Sequence, residues 1–345
     1  MANLTVTAVC NMRCPYCFAT AHMQDIQQSQ DETFISMAAF ARQLDFLQRS
    51  QIDQVRLIGG EPTLHPQFPE LVACARQRGM ALLVFSHGLI PERALACLEA
   101  LPESACLVLI NTNATKAANG PTSAEMARRR QTMRRLGQRA LPGFNIYTPH
   151  FDLDFLLPLI AESGCRRAVR LGLAQPIWNG NNRYLHPKHY PQVGTSIAQF
   201  ARRAAGAGVR VEFDCGFVRC MFAEDDLVAL QQAQADIGWR CNPILDVSMD
   251  GQAIHCFPLT GRVQTPLFAA PLSAVPLSAA PNATALRAQL AAQTAPYRAA
   301  GIYRECSTCV FKQRGECTGG CLSQTMRRFH HDPFRVTVYK GKTVT

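Results

Sequence analysis

The sequence lacks long hydrophobic runs. Apolar residues make up 48% of its 345 positions, yet no stretch of about 18 uncharged apolar residues occurs, which argues against a membrane-spanning helix. The N-terminus also lacks a basic segment followed by an apolar run, so no secretory signal is expected. These absences predict a cytoplasmic protein with no membrane partner. The length allows one large domain or two of ordinary size.

The arginines lack the interleaved aromatic residues that many nucleic-acid-binding surfaces carry. The formal net charge is +10, from 35 basic and 25 acidic residues. The most basic run, ARRRQTMRRLGQR at Ala127–Arg139, contains no aromatic residue and no recognition motif. We therefore expect a solvated helix face, with attraction of an acidic substrate as the second interpretation, and no nucleic-acid partner.

Cysteine, by contrast, is abundant. The chain has 15 cysteines, and in a reducing compartment they are not expected to form disulfides. Four stand alone in apolar or amphipathic segments and are interpreted as small buried hydrophobic residues: Cys74, Cys97, Cys106 and Cys165. The others form an N-terminal triplet and a C-terminal group from Cys215 to Cys321. Clustered thiols of this kind indicate metal binding.

Short apolar runs alternate with helical patterns over the first two thirds of the chain. Six such strand–helix repeats predict an α/β fold with a parallel sheet, closed or partly closed, and helices outside. The six runs are Leu4–Val9, Val55–Ile58, Ala81–Phe85, Ala105–Ile110, Phe144–Tyr147 and Val169–Leu173. The alternation stops near Cys215, which predicts domains at 1–214 and 215–345, the second small, cysteine-rich and irregular. A proline-rich stretch at about 262–282 is interpreted as a surface connection.

The first predicted strand runs into a loop with three closely spaced thiols, CNMRCPYC, at Cys10, Cys14 and Cys17. In folds of this type, function gathers in the loops at the carboxyl ends of the strands. Three thiolates can hold three irons of a cubane cluster and leave the fourth iron open for a substrate or cofactor. On spacing alone, a zinc site completed by His22 or another ligand remains an alternative.

The loop after the second strand reads LIGGEPTLHP. Gly59 and Gly60 allow the backbone to approach a ligand closely, and Glu61 can accept hydrogen bonds from an ammonium group. A GGE tripeptide alone would usually be a turn. One strand–helix unit after a CxxxCxxC loop, the pair of motifs is far more specific.

These two motifs resemble those of the radical S-adenosylmethionine (radical SAM) superfamily, over roughly residues 4–215 as a partial (β/α)6 barrel. The resemblance implies a [4Fe–4S] cluster on the three N-terminal cysteines, with S-adenosylmethionine chelating the fourth iron through its amino and carboxylate groups. It also implies a 5′-deoxyadenosyl radical that abstracts a substrate hydrogen, and an electron donor such as flavodoxin or ferredoxin. The implied cofactor contacts are Gly59, Gly60 and Glu61 to the methionine amino group, Phe18 near the adenine, Ser86 facing the cofactor and Asn111 at the ribose.

The C-terminal cysteines resemble the SPASM/twitch-type extension of radical SAM enzymes, which carries auxiliary iron–sulfur clusters. Two spacings carry the resemblance: C-x9-G-x4-C at Cys241, Gly251 and Cys256, and C-x2-C-x7-C-x3-C at Cys306, Cys309, Cys317 and Cys321. The family's usual spacing has five residues where this chain has seven, and the family has a further cysteine after the last motif, which this chain lacks.

The resemblance therefore implies one or two auxiliary [4Fe–4S] clusters. The nearer would use Cys241, Cys256 and Cys321 with either Cys215 or Cys220. The farther would use Cys306, Cys309 and Cys317 with an open iron or a non-cysteine ligand. His330, His331 and Asp332 lie within chain reach, although a solvated tail is the favoured interpretation for them. A zinc knuckle at Cys306–Cys321 remains the alternative.

The resemblance implies a radical SAM oxidoreductase that modifies a ribosomally synthesised peptide by crosslinking, epimerisation or oxidation. One alternative is a small-molecule or tetrapyrrole substrate; another is a cysteine-rich zinc module that binds nucleic acid. Peptide-modifying relatives often carry a leader-binding segment before the barrel, and a first strand near Leu4 leaves no room for one. We therefore expect either a separate leader-binding protein or a substrate that needs no such contact.

Overall fold

The fold is built on one ten-stranded sheet with the strand order β10-β9-β8-β1-β2-β3-β4-β5-β6-β7. The structure, a computed structural model, describes residues 1–29, 32–113, 123–178, 180–235, 237–268 and 282–330. The strands are β1 (Ala2–Thr7), β2 (Gln54–Gly59), β3 (Ala81–Ser86), β4 (Cys106–Asn111), β5 (Ala140–Ile146), β6 (Ala168–Leu173), β7 (Arg210–Phe213), β8 (Leu245–Val247), β9 (Gln252–Ile254) and β10 (Gln264–Pro266).

Strands β1 to β7 are parallel and adjacent in chain order. This arrangement confirms the predicted α/β partial barrel. In-register pairs such as Leu4 with Leu57 and Leu57 with Val84 align the buried side chains of neighbouring strands. Because all seven strands point the same way, the loops that follow them meet at one edge of the sheet.

Helices connect and flank the strands. In α2, Phe40, Leu44 and Leu47 recur at helical spacing and are fully buried, and the Ser36 side chain caps the helix by accepting a hydrogen bond from the Ala39 N–H. The helices are α1 (Thr20–Ser29), α2 (Met37–Arg49), α3 (Phe68–Gln77), α4 (Glu92–Glu99), α5 (Ser123–Leu136), α6 (Leu156–Ser163), α7 (Tyr190–Gly206), α8 (Glu224–Gln232), α9 (Ala283–Ala300), α10 (Val310–Gln313) and α11 (Leu322–His330).

The region after β7 continues the same sheet. Strand β8 pairs in parallel with β1, and β9 and β10 follow as antiparallel neighbours. Helices α8, α9 and α11 give this region more regular structure than its glycine, proline and cysteine content predicts. Most of the proline-rich connection, residues 269–281, lies outside the described residues.

The described helices include none that combines the length and the apolar character needed to cross a membrane.

Candidate functional site

The three-cysteine loop after β1 is held against the glycine pair after β2 by backbone contacts. The Gly60 N–H donates to the Thr7 carbonyl at 2.9 Å, and the Glu61 N–H donates to the Val9 carbonyl at 2.8 Å. A Cβ built on Gly60 would lie 2.1 Å from the Val9 carbonyl oxygen. Only glycine permits this approach, so the GGE motif and the cysteine loop form one unit.

The thiols of this loop are half-buried and lie near other negative charge. The Met12 N–H donates to Cys10 Sγ at 3.4 Å. Burial raises the pKa of the Cys10 thiol to about 12, and the negative charges of Glu61, Cys17 and Cys14 contribute to the rise. Thiolates that repel one another in this way are stabilised by a bound cation. The donor set therefore fits a metal group.

Glu61 lies beneath the loop, only 1% exposed, with both carboxylate oxygens engaged. Oε1 accepts from the Thr63 hydroxyl at 2.6 Å, and Oε2 accepts from the His87 N–H at 2.9 Å. The His87 Nδ1 accepts from the Leu89 N–H at 3.1 Å, so the ring proton is on Nε2, which donates to Asn11 Oδ1 at 2.7 Å. Burial lowers the pKa of His87 and favours its neutral form. Glu61 and His87 thus connect β2, β3 and the cysteine loop.

The two strand-end residues singled out in the sequence lie at the same edge of the sheet. Ser86 is buried, and its hydroxyl accepts from the Gly88 N–H at 3.0 Å, which closes a turn. The Asn111 side-chain amide donates to the Tyr16 hydroxyl at 2.5 Å, and its oxygen accepts from the Asn113 N–H at 3.3 Å. Asn111 therefore contacts the cysteine loop directly, whereas Ser86 shapes the adjoining turn.

Phe18 lies between the N-terminal loop and the C-terminal cysteines. Its side chain is 41% exposed, and its ring packs edge-on against Phe257 with centroids 5.3 Å apart. Phe18 follows Cys17 in the chain, and Phe257 follows Cys256. The contact brings the N-terminal loop next to one C-terminal thiol.

Four C-terminal cysteines gather on this side, and we call Cys215, Cys241, Cys256 and Cys321 the inner set. A Cβ on Gly216 would lie 3.8 Å from the Cys321 Cβ, which brings the Cys215 loop against Cys321. Burial raises the pKa of the Cys256 thiol well above its ordinary value, and the charges of Cys321, Cys241 and Cys215 raise it further. Of the two upstream cysteines between which the sequence left the choice open, Cys215 lies here.

The remaining four, Cys220, Cys306, Cys309 and Cys317, form an outer set. Cys306 lies in a short 3-10 turn, and Cys309 occupies the residue position just before α10. The Gly319 N–H donates to Cys317 Sγ at 3.3 Å, a contact that stabilises a thiolate. The eleven cysteines predicted to bind metal thus fall into one group of three and two groups of four.

Sequence reasoning missed Arg129, which it assigned to an exposed basic helix face. Its side chain is 1% exposed. Its Nε donates to the His87 carbonyl at 2.8 Å and its Nη1 to the Asn113 carbonyl at 3.0 Å. Arg129 therefore stabilises the loops after β3 and β4 by hydrogen bonds to their backbone carbonyls. One sequence signal could have indicated that Arg129 is buried. It lies four and seven residues before Met133 and Leu136, on the same face of the helix, and both are fully buried.

Comparison with known proteins identifies the N-terminal part. Residues 4–117 match the family model described as Radical SAM superfamily. The N-terminal third of the chain therefore matches the radical SAM family. Proteins of this family use a [4Fe–4S] cluster and S-adenosylmethionine, and the three-thiol loop clamped by the GGE motif fits these cofactors.

Among curated relatives, the chain is 30% identical over 98 residues to GTP 3′,8-cyclase of Chlorobaculum tepidum. The match covers 28% of each protein, so the chain spans little more than a quarter of that relative's length. Two solved structures share the fold. Streptococcus suis SuiB bound to its precursor peptide SuiA has a TM-score of 0.57 at 10% identity, covering 79% of this chain and 63% of SuiB. The enzyme anSMEcpe with bound AdoMet has a TM-score of 0.61 at 14% identity, covering 99% and 100%.

Proposed function

We propose that this radical SAM enzyme abstracts a hydrogen atom from a ribosomally synthesised peptide and so modifies one of its side chains. Cys10, Cys14 and Cys17 would hold a [4Fe–4S] cluster, and Gly59, Gly60 and Glu61 would bind S-adenosylmethionine beside it. Together, the bound cluster and S-adenosylmethionine supply a hydrogen-abstracting oxidant. The observation that carries the proposal is the backbone clamp between Gly60 and Val9, which joins the two motifs into one site.

The residues of the chain bind and orient the cofactor. The methionine amino group would contact the backbone of Gly59 and Gly60 and the fixed carboxylate of Glu61. The Glu61 side chain cannot swing away, because Thr63 and His87 both donate to it. Asn111 lies beside Tyr16 of the cysteine loop, where it suits a ribose hydroxyl. Ser86 holds the turn that presents His87.

We assign residues 1–214 to the radical SAM barrel and 215–345 to a SPASM-type auxiliary domain. After hydrogen abstraction, a crosslinking or desaturating reaction must remove one further electron and a proton from the substrate. The inner set suits an iron–sulfur cluster that accepts this electron, and the Phe18–Phe257 contact at 5.3 Å brings it beside the N-terminal loop. An external one-electron donor such as flavodoxin or ferredoxin completes the cycle in the cytoplasm.

Two features support a peptide substrate. SuiB, which shares the fold over 79% of this chain, was solved with its precursor peptide. The net charge of +10 also suits an acidic leader, whether or not a separate leader-binding protein takes part. The second candidate is a small molecule, which the local similarity to a GTP 3′,8-cyclase favours.

Metal analysis tests the enzyme class. After anaerobic purification, two or three cubane clusters should give about eight to twelve irons per chain, with matching acid-labile sulfide. Cys14→Ala should lose one cluster's share of iron, while Cys97→Ala, which changes an isolated half-buried thiol, should lose none. Zinc in place of iron and sulfide would support the zinc-module alternative instead.

The substrate class needs a separate experiment. A small open reading frame beside the gene, expressed with the enzyme, should yield a peptide whose mass differs from the unmodified product by whole hydrogens. Cys256→Ala should abolish that change while uncoupled cleavage of S-adenosylmethionine continues. Turnover of a nucleotide but of no such peptide would favour the small-molecule candidate.

A further inference from the structure

The second C-terminal cysteine motif by itself supplies one ligand too few for a four-thiolate site. Once Cys321 belongs to the inner set, the second motif supplies only Cys306, Cys309 and Cys317. The geometry points to a ligand from far upstream. We propose that Cys220 is the fourth thiolate of the outer site, which is thereby closed by four cysteines. This rests on the proposed function, since it requires the C-terminal region to bind iron–sulfur clusters.

One side of the Cys220 turn packs on the outer motif through its neighbour Arg219. The Arg219 guanidinium carbon lies 3.9 Å from the centre of the Phe311 ring, a close cation–π contact. Phe311 stands between Cys309 and Cys317 in the chain, and its carbonyl accepts from the Cys317 N–H at 3.2 Å. Cys220 is therefore adjacent to the segment that carries two of the other three thiols.

The other side of the turn is fixed through Phe222. Its ring lies 5.5 Å from that of Trp239, and the Trp239 carbonyl accepts from the Thr318 N–H at 3.1 Å. Thr318 follows Cys317. Arg219, before Cys220, and Phe222, after it, thus connect this turn to the segment around Cys317 through two separate sets of contacts.

Helix α7 packs against this turn. A Cβ on Gly194 would lie 2.0 Å from the Met221 carbonyl oxygen, so the helix backbone presses directly on the turn. The turn just before α7 also anchors the third thiol. Tyr303 donates its hydroxyl to the Pro187 carbonyl at 2.7 Å and accepts through its own carbonyl from the Cys306 N–H at 3.3 Å.

The thiols that act on Cys220 agree with this placement. Cys220 keeps an exposed surface, and the thiols whose charges act on it are those of Cys306, Cys317 and Cys309. These are the other three members of the outer set.

His330, the described histidine of the C-terminal tail considered as a ligand, has other contacts. Its Nε2 lies 2.8 Å from the Tyr297 hydroxyl, and its ring packs edge-on against Trp178 at 4.9 Å. His331 and Asp332 lie outside the described residues. A four-thiolate site leaves no open iron for substrate, which suits a cluster that is structural or carries electrons.

Thiol protection in the complete holoprotein tests the proposal without a mutation. Iodoacetamide is applied anaerobically to the reconstituted protein, and each cysteine is scored by mass spectrometry. Cys220 should be protected as strongly as Cys306 and Cys309, and should become reactive after the iron is chelated. The exposed Cys220 would be alkylated at once if it were free. Its alkylation in holoprotein that still protects Cys306 and Cys309 would overturn the proposal.

A variant series gives a second readout. In a Cys10→Ala, Cys14→Ala, Cys17→Ala background, about eight irons should remain if both auxiliary clusters form. Adding Cys220→Ala should open one iron position, and mild oxidation should then produce the EPR signal of a three-iron cluster. His330→Ala and Cys165→Ala, the matched controls, should not produce it. The signal from His330→Ala but not from Cys220→Ala would overturn the assignment.

The two readouts separate this inference from the proposed function. Iron and sulfide that persist with an unprotected Cys220 would refute only the assignment of the fourth ligand. A background protein that binds no iron–sulfur cluster at all would refute the auxiliary domain, and the assignment of Cys220 with it.

Discussion

Replacing Gly60 by alanine should displace the cysteine loop. The new Cβ would lie 2.1 Å from the Val9 carbonyl oxygen, 2.5 Å from the Val9 carbonyl carbon and 2.9 Å from the Cys10 nitrogen. All three atoms are backbone, so no side chain can rotate away. The nearest contact must lengthen from 2.1 Å to the 3.4 Å at which ordinary contact begins, a shift of about 1.3 Å.

This shift strains the clamp that holds the loop. Overpacking of a tight site costs about 1–3 kcal/mol, and each weakened hydrogen bond about 0.5–1.5 kcal/mol more. The Gly60–Thr7 and Glu61–Val9 backbone bonds are the ones at risk. We expect Gly60→Ala to destabilise the apoprotein by about 2–6 kcal/mol and to misplace Cys10 enough to weaken cluster binding.

Thermal unfolding of the reduced apoprotein and iron content after reconstitution measure the two effects. The control is Gly206→Ala at the end of α7, where nothing lies within 4 Å of the added Cβ. The control should be neutral or slightly stabilising. If Gly60→Ala had the same unfolding temperature as the control and bound as much iron, the clamp would have no role in holding the loop.

Three further variants test separate parts of the account. Glu61→Gln should weaken S-adenosylmethionine binding in equilibrium titrations while iron content stays normal; loss of iron would assign Glu61 a structural role instead. Burial raises the pKa of Asp246 to about 7, so the folded state holds a proton that the unfolded state releases above pH 4. The free energy of unfolding of the apoprotein should then fall by up to about 1.4 kcal/mol per pH unit between the ordinary pKa of the aspartate, 3.8, and about 7. Asp246→Asn should flatten this pH profile in urea titrations. An unchanged profile would exclude Asp246 as its source. Arg129→Ala should lower the unfolding temperature by leaving two buried carbonyls unpaired, and a melting curve like wild type would contradict that reading.

The barrel and its N-terminal site follow from local signals in the sequence. Alternation of apolar runs with helical patterns is enough to predict β1 to β6 and their parallel order. The sequence predicts that β5 begins at Phe144, because Pro142 and Gly143 disfavour a strand in isolation. In the structure, the strand begins earlier, at Ala140. In the fold, a Cβ on Gly143 would make a tight contact of 3.0 Å with the Leu109 side chain. Tertiary packing overrides the local preference there.

Other features depend on contacts that no sequence pattern encodes. The three-residue strands β8 to β10 exist because β1 offers β8 a free edge. Cys215 and Cys220 are close in sequence yet belong to different sets, since the turn between them redirects the chain. Gly216, with a φ of 100°, lies within that turn. Their spacing in the sequence does not show which thiols lie together in the fold.

Formation of 5′-deoxyadenosine is the most direct test of the central claim, that the N-terminal thiols and the GGE motif perform radical SAM chemistry. Anaerobically reconstituted protein is supplied with dithionite and S-adenosylmethionine, and the product is measured by chromatography. Wild type and a Cys74→Ala, Cys97→Ala, Cys165→Ala control should both form it, whereas Cys10→Ala, Cys14→Ala, Cys17→Ala should form none although the auxiliary clusters remain. Equal amounts from the two triple variants, or none from iron-loaded wild type, would contradict the account.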